Sequence, residues 1–174
     1  MDLTQSQFSL WMGQKLNPEV PLYNMVHVFT ISGDIDIESF KRAFRKLVEN
    51  SDALRTVFYE DNNKPFQRVL NTVDYEMDYF DCSDYDESRI KEWLNERSQI
   101  NFELSQILLD SVLLKVSDKK YTWFLNIHHL ITDATSSTIL YDFMSNIYKD
   151  IITGGDEHIH SIPKYESYIT FEAN

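Results

Sequence analysis

The sequence has little of what builds disulfide frameworks, phosphate-binding loops or membrane spans. Its 174 residues include one cysteine, four glycines and four prolines. The single Cys82 excludes an internal disulfide bond and is typical of a reducing compartment. Four glycines are too few for a glycine-rich loop that cradles phosphate. No apolar run approaches the ~18 residues of a membrane span. We expect no signal peptide at the start, because Asp2, Thr4 and Gln5 interrupt any apolar region there.

Positive charge is also scarce. The chain has 16 Lys and Arg against 28 Asp and Glu, which gives a net charge of -12. Such a balance argues against non-specific binding to nucleic acid or to anionic membranes. Because 43% of the residues are hydrophobic and 14% aromatic, general disorder is excluded and a core can form. We therefore expect one soluble, cytoplasmic domain with no nucleic-acid or membrane partner.

The spacing of apolar residues predicts alternating helices and strands. Helices are predicted after Thr4, after Asp36, after Asp84 with Glu87 as a capping box, and from about Thr135 or Ser136. Strands are predicted at residues 25–31, 54–59, 66–70, 73–80, 108–116 and 121–128, the last two as a hairpin. This order predicts an α/β (α+β) architecture in which helices pack on a mixed β-sheet.

The residues with the most chemical potential follow the last predicted strand. An apolar run leads into His128 and His129, and Asp133 follows four residues after the second histidine. Successive side chains of a strand point to opposite faces, so the two histidines cannot reach one site unless the strand ends between them. We expect one histidine to be structural and the other to be available for chemistry.

Three interpretations of this histidine pair are open. They are two ordinary histidines at a strand end, a metal site, or an acyl-transfer site. A metal site is disfavoured because adjacent strand histidines diverge and no third ligand is nearby. In an acyl-transfer site a histidine acts on an attacking amine or hydroxyl, beside a helix N-terminus that faces the developing oxyanion. The segment at residues 157–160 resembles a fragment of a metal site, but a solvated loop is the simpler interpretation.

Asp133 also has two interpretations. It precedes a predicted helix, where a carboxylate caps backbone N–H groups and favours the helix dipole. Alternatively it forms an internal ion pair that fixes the histidine loop. Arg55 is the candidate partner because it lies in an otherwise apolar predicted strand, where a buried charge needs a partner. A solvent-facing Arg55 is the alternative.

Four short motifs, taken in order, resemble those of the condensation domains of nonribosomal peptide synthetases. Residues 4–11 resemble the opening S-x-A-Q-x-R-L-W motif, and Tyr23-Asn24 fits the Y-N that follows it. Residues 54–58 resemble the end of R-H-E-x-L-R-T-x-F. Residues 128–136 resemble H-H-x-x-x-D-G-x-S. Together these motifs extend across nearly the whole chain.

The resemblance implies an acyltransferase related in fold to chloramphenicol acetyltransferase. It would form an amide (peptide) bond between a donor acyl thioester and the amine of an acceptor aminoacyl thioester. Both substrates would be held on the phosphopantetheine arms of peptidyl or acyl carrier proteins, so no other cofactor and no metal is expected. By the motif match His129 is the catalytic histidine, in a catalytic motif with His128 and Asp133. Asp133 and Arg55 correspond to the structural ion pair of the family.

The resemblance covers only one of the two similar lobes of a condensation domain. Residues 1–174 would be the N-terminal lobe, with the second lobe and an adenylation domain as further partners. The active site lies between the lobes in the family. We therefore expect the face that bears His129 to be open, with apolar side chains exposed near residues 123–129.

Departures from the family motifs leave other functions open. Asn50-Ser51-Asp52 replaces R-H-E, and Ala134 stands where the family has glycine in the loop beside the oxyanion. If that position needs a positive φ, alanine costs roughly 1 kcal/mol. A catalytically degenerate lobe that only docks carrier proteins is therefore one alternative. An epimerisation-type relative is another, although its usual Ser-Trp after the aspartate is Ser136-Ser137 here.

Overall fold

The structure is a computed structural model that describes residues 1–155 and 164–165. The helices are α1 (Gln5–Leu16), α2 (Ile37–Asn50), α3 (Glu87–Ser98) and α4 (Ala134–Thr153), with a 3₁₀ turn at Ala53–Arg55. The strands are β1 (Asn24–Ser32), β2 (Thr56–Asp61), β3 (Lys64–Val69), β4 (Asp78–Asp81), β5 (Leu109–Ser117) and β6 (Lys120–His128). Among the described residues, no helix is long and apolar enough to cross a membrane.

Four strands form one sheet in the order β1-β6-β5-β4. β6 pairs antiparallel with β1 and β5, whereas β4 runs parallel to β5. The predicted mixed sheet is therefore confirmed. β2 and β3 form a separate two-stranded hairpin. Because β6 has a paired strand on each side, its backbone is fully inside the sheet, and residues 121–128 are all buried.

Both faces of β6 are covered, and each face belongs to a different core. Trp123 packs against Phe40 and Phe44 of α2 with ring centroids 5.7 and 6.1 Å apart. These rings belong to the main core, which also holds α4 and Trp11 of α1. Phe124 faces the other way, into a smaller cluster under α3. The alternation of side chains along the strand thus explains its continuous apolar sequence.

Side-chain caps set where the helices begin. Thr4, the predicted cap of α1, forms a capping box with Gln7, and Asp36 caps α2 through the amide of Ser39. The cap of α3 differs from the prediction: it is Asp86, which accepts from the amide of Arg89 at 2.8 Å, and not Asp84. Both aspartates can cap a helix in the same way, and the helix begins two residues later than predicted because the carboxylate of Asp86 accepts from a free amide of the first turn.

Two of the predicted strands have other bounds in the structure: the first begins two residues later, and the second is shorter. Residues 53–55 form a 3₁₀ turn, in which Arg55 N donates to Asp52 O at 3.1 Å, and the strand starts only at Thr56. Of the strand predicted at 73–80, only Asp78–Asp81 pairs. The turn matters for function because Arg55 no longer follows the alternation of a strand.

Candidate active site

The chain leaves the sheet between the two histidines of the motif. β6 ends at His128, and the next amide, that of His129, donates to Tyr23 O at 2.8 Å. His128 is 1% exposed, whereas His129 is half-buried and lines a cavity. The predicted divergence of the two side chains is confirmed.

His128 is enclosed and hydrogen-bonded on both ring nitrogens. Nδ1 accepts from the amide of Leu130 at 3.1 Å, so the proton must lie on Nε2, which faces Gln14 Oε1 at 3.4 Å. The rings of Tyr23 and Phe102 lie edge-on to the imidazole. Burial disfavours the charged form and lowers the pKa of His128 to about 4. This histidine is therefore neutral and braces the loop.

His129 carries its proton on the opposite nitrogen. Its Nδ1 lies 2.6 Å from Thr132 O. A carbonyl can only accept a hydrogen bond, so Nδ1 is the protonated nitrogen and the lone pair is on Nε2. A neutral imidazole held in one tautomer by a backbone carbonyl can act as a general base through its other nitrogen.

Asp133 caps α4, as the first of its two interpretations predicts. Its Oδ1 accepts from the amide of Ser136 at 2.7 Å and from the Ser136 hydroxyl at 2.6 Å. These two bonds hold the pKa of Asp133 below its ordinary value, and the neighbouring His129 adds to the effect. The carboxylate thus starts the helix that follows the histidine loop.

The structure does not form the predicted ion pair of Arg55 with Asp133. Arg55 Nη1 donates instead to the carbonyls of Leu70 and Asn71. The Asp133 carboxylate bonds to Ser136 instead. The 3₁₀ turn is the physical reason, because it directs the arginine toward the end of β3 and away from α4.

Ala134 has no need of glycine's freedom. It is the first residue of α4. The described non-glycine residues with positive φ are Asn62 and Asn63, both in the turn between β2 and β3. Alanine therefore carries no backbone strain at this position, and the predicted cost of roughly 1 kcal/mol does not arise.

Two glutamines of α1, to which the sequence analysis assigned no role, hold the histidine loop. Gln7 Nε2 donates to Leu130 O at 3.1 Å, and Gln14 faces the His128 ring. Both are at most 4% exposed. They lie seven residues apart with Trp11 between them, so they share the buried face of the helix. Glutamines at the core positions of an amphipathic helix could have indicated this role in the sequence, because a buried amide needs hydrogen-bond partners.

A cavity of about 720 Å³ opens beside His129. It lies between α1, residues 51–54, the histidine loop and the first turns of α4. Leu10, Leu54 and Ile139 give it apolar walls. Asp52 and Asp133 are the charged groups among its described lining residues up to position 155. A cavity of this size can admit a small acyl or aminoacyl group.

The exposed apolar side chains lie elsewhere than predicted. Residues 123–128 are buried between the two cores. Large exposed apolar side chains occur instead on α1, β1 and α4. They include Phe8, Leu16, Val26, Val28, Ile139 and Tyr141. The prediction was wrong for residues 123–128 because it expected a second lobe to cover this face, whereas helices of this chain cover both faces of β6.

The described residues hold no group of three or more His, Cys, Asp or Glu side chains arranged to bind a metal ion. The segment at residues 157–160, noted above for its resemblance to a metal site, lies outside the described residues.

The profile of the condensation domain matches residues 1–174. The chain belongs to the condensation-domain family. Curated relatives include surfactin synthase subunit 2 of Bacillus subtilis (strain 168), 28% identical over 84% of this chain. Bacitracin synthase 3 of Bacillus licheniformis is 31% identical over 84% of the chain. The matched regions are 4% and 2% of those proteins, so this condensation-domain chain spans a small part of each.

Solved condensation domains have the same fold. The starter condensation domain of rhizomide synthetase superposes with a TM-score of 0.91 at 23% identity, covering 99% of this chain and 44% of that one. The first condensation domain of the calcium-dependent antibiotic synthetase gives 0.87 at 20% identity, covering 99% and 43%. The predicted fold class, a mixed sheet of the chloramphenicol acetyltransferase type with packed helices, is thus confirmed.

Proposed function

We propose that the chain is the N-terminal lobe of a condensation domain that forms amide bonds in a nonribosomal peptide synthetase. The donor is an acyl thioester and the acceptor is the amine of an aminoacyl thioester. The observation that carries this proposal is the tautomer of His129. Its Nδ1 donates to Thr132 O, which leaves the lone pair of the neutral ring on Nε2, and the residue lines the cavity.

Amide-bond formation from a thioester needs a positioned general base of moderate strength. An α-amino group has a pKa near 8, so part of the acceptor is already neutral at working pH. Its nitrogen forms a bond to the thioester carbonyl carbon, and His129 Nε2 takes the ammonium proton as the tetrahedral intermediate forms. The C–S bond then breaks, and the proton passes to the departing thiolate. Positioning of the two substrates supplies the rest of the acceleration.

The start of α4 is our candidate for stabilising the oxyanion. Ala134 begins the helix directly after the histidine loop. The N-terminus of a helix carries unpaired N–H groups and a partial positive charge. Because Asp133 Oδ1 already accepts from the amide of Ser136, we assign the amide of Ala134, the first residue of the helix, to the oxyanion of the intermediate. The unstrained backbone of Ala134 supports an active site and argues against a degenerate one.

Partners follow from the proposed reaction. Peptidyl or acyl carrier proteins would deliver both substrates on phosphopantetheine arms, with no metal and no other cofactor. A second lobe would close the cavity from the open side, and an adenylation domain would be a neighbour in the synthetase. The curated relatives are peptide synthetases, which supports this organisation. Cytoplasmic localisation stays a prediction.

One assay separates this function from its alternatives. The parent synthetase is mixed with a preloaded donor carrier and a preloaded acceptor carrier in deuterated buffer, and the acceptor-bound product is analysed by mass spectrometry. We expect an amide product with no deuterium at the α-carbon. Deuterium exchange without amide formation would indicate an epimerisation-type relative. Carrier binding with neither product would indicate a docking lobe and overturn the proposal.

A further inference from the structure

A buried pair of amides links the β2–β3 hairpin to the histidine loop. Gln67 of β3 is 0% exposed and Gln7 of α1 is 3% exposed. Gln7 Nε2 donates to Gln67 Oε1 at 3.0 Å, and Gln67 Nε2 donates back to Gln7 Oε1 at 2.9 Å. The two side chains are 60 residues apart in sequence. Buried amides cost free energy unless they are paired, so this reciprocal arrangement is specific.

The remaining groups of the pair bond to the backbone. The second N–H of Gln7 Nε2 reaches Leu130 O at 3.1 Å, and that of Gln67 reaches Asp2 O at 3.0 Å. Gln7 Oε1 also accepts from the amide of Thr4 at 3.0 Å. All four N–H groups of the two amides therefore have an acceptor. A reversed Gln7 amide would place oxygen against Leu130 O, so the network has one orientation.

Leu130 is the residue through which this network reaches the reaction. Its C=O accepts from Gln7 and its N–H donates to His128 Nδ1. The backbone on the far side of His129 is thus held at two points. His129 directly precedes this doubly anchored residue, and the Nδ1 bond to Thr132 O sets its ring.

We propose that Gln67 is a positioning residue, which fixes the Leu130 backbone through Gln7 and so holds His129 in its reactive orientation. The hairpin of β2 and β3 then belongs to the scaffold of the active site, although its strands lie outside the main sheet. The effect on rate rests on the function proposed above, whereas the effect on the His129 imidazole does not.

The decisive variant is Gln67→Met, which keeps the shape and length of the side chain but removes its donor and acceptor. Phe66→Leu is the matched control. Phe66 is the neighbouring residue on the opposite face of β3 and stacks on Tyr59 of the same hairpin. Its replacement loosens the hairpin without touching the amide pair.

The first readout is the imidazole nitrogen spectrum of His129, recorded by NMR on the full chain. We expect Gln67→Met to convert the single Nδ1-protonated tautomer into a mixture, while Phe66→Leu leaves it unchanged. Both variants should lower the melting temperature, so stability alone does not distinguish them. An unchanged His129 spectrum in folded Gln67→Met would overturn the proposal, whatever the activity of the synthetase.

A second variant covers the case in which Gln67→Met does not fold. A protonated glutamic acid in Gln67→Glu has one O–H, which can donate to Gln7 Oε1, and a carbonyl oxygen that can accept from Gln7 Nε2, so it restores the pairing with Gln7 and loses only the bond to Asp2 O. Its carboxylate can only accept. The His129 spectrum of Gln67→Glu should therefore match the unmodified protein at acidic pH and depart from it as the pH rises. Spectra that agree at every pH would contradict the positioning role.

The kinetic readout uses the parent synthetase. Misplacement of a reacting group by about 1 Å costs on the order of 10²-fold in rate. We expect Gln67→Met to lower kcat by about that factor with KM unchanged, because no substrate contact is removed. Phe66→Leu should leave kcat unchanged at temperatures well below its melting temperature. Equal kinetic effects of the two variants would show that Gln67 acts only on stability.

Discussion

Two backbone groups decide which of the adjacent histidines can take a proton. The amide of Leu130 claims Nδ1 of His128, and the carbonyl of Thr132 claims Nδ1 of His129. In His128 the proton is therefore on Nε2, whereas in His129 the lone pair is on Nε2. The two side chains are chemically identical. They differ because β6 ends at His128, so that each imidazole meets a different backbone group.

The buried His128 should make the stability of the protein depend on pH. Its folded pKa of about 4 lies below the ordinary value of 6.5. The unfolded chain therefore binds more protons between these values, so stability is full above pH 6.5 and falls as the pH drops toward 4. The loss should be about 3 kcal/mol.

Urea unfolding across this pH range measures the effect. His128→Asn keeps an acceptor for the Leu130 amide but does not titrate, so the His128 part of the slope should vanish. His27→Asn is the control. It removes a half-buried histidine whose pKa is also lowered by burial, and it should remove only a smaller part. A His128→Asn slope equal to that of the unmodified protein would contradict a buried neutral imidazole.

A double-mutant cycle tests the separation of Arg55 from Asp133. Asp133→Ala should lower the free energy of unfolding by about 1 kcal/mol, because it removes the cap of α4. Arg55→Met should act independently, with a coupling energy below about 0.5 kcal/mol. Chemical unfolding of the two single variants and the double variant gives this value. Coupling above about 2 kcal/mol would show that the ion pair forms in solution.

At the scale of single elements, the sequence predicts helices and strands better than their partners. Asp36 and the apolar repeat of α2 predict that helix closely, because the cap and the buried face are local features. The 3₁₀ turn at Ala53–Arg55 could not be predicted, since an apolar triplet fits a strand equally well. The direction of Arg55 depends on that turn. Because the strand at residues 54–55 was predicted wrongly, the ion pair of Arg55 with Asp133 was predicted wrongly as well.

An arginine at the C-terminal end of α3 adds an ion pair to the apolar contacts between this helix and the sheet. Arg97 donates from Nε and Nη2 to both oxygens of Asp110 at 2.8 and 2.7 Å, and Nη2 also reaches Asp78 at 2.5 Å. The side chains of Arg97 and Asp110 are 21% and 12% exposed. A largely buried, bidentate pair of this kind is costly to break from one side, because the other charge stays unpaired.

We expect Arg97→Met to lower the free energy of unfolding by about 2–4 kcal/mol. Lys91→Met is the control on the same helix. It removes an exposed pair with Glu87 at 2.7 Å and should cost less than about 0.5 kcal/mol. Urea unfolding at neutral pH compares the two. Similar losses would mean that Arg97 is solvated and anchors nothing.

At the scale of the whole molecule, the mixed sheet follows from the pattern of β1, β5 and β6, whereas the separate hairpin of β2 and β3 does not. Nothing in the sequence of a short strand states which sheet it joins, because pairing is decided by contacts far away in the chain. The amide pair of Gln67 and Gln7 could not be predicted for the same reason, since the two residues are 60 positions apart in the sequence. Gln7 stands at the Q of the first motif and could be found in the sequence, but its partner Gln67 could not.

The order of the histidines, the cavity and the start of α4 leads to one central claim, that His129 is the general base of amide-bond formation. The most direct test is single-turnover condensation by the parent synthetase with preloaded carriers, together with the melting temperature of each variant. His129→Ala should lose about 10²–10⁴-fold in rate at an unchanged melting temperature. His128→Asn should instead lower the melting temperature. Near-full activity of a stable His129→Ala protein would contradict the claim and place the catalytic group elsewhere.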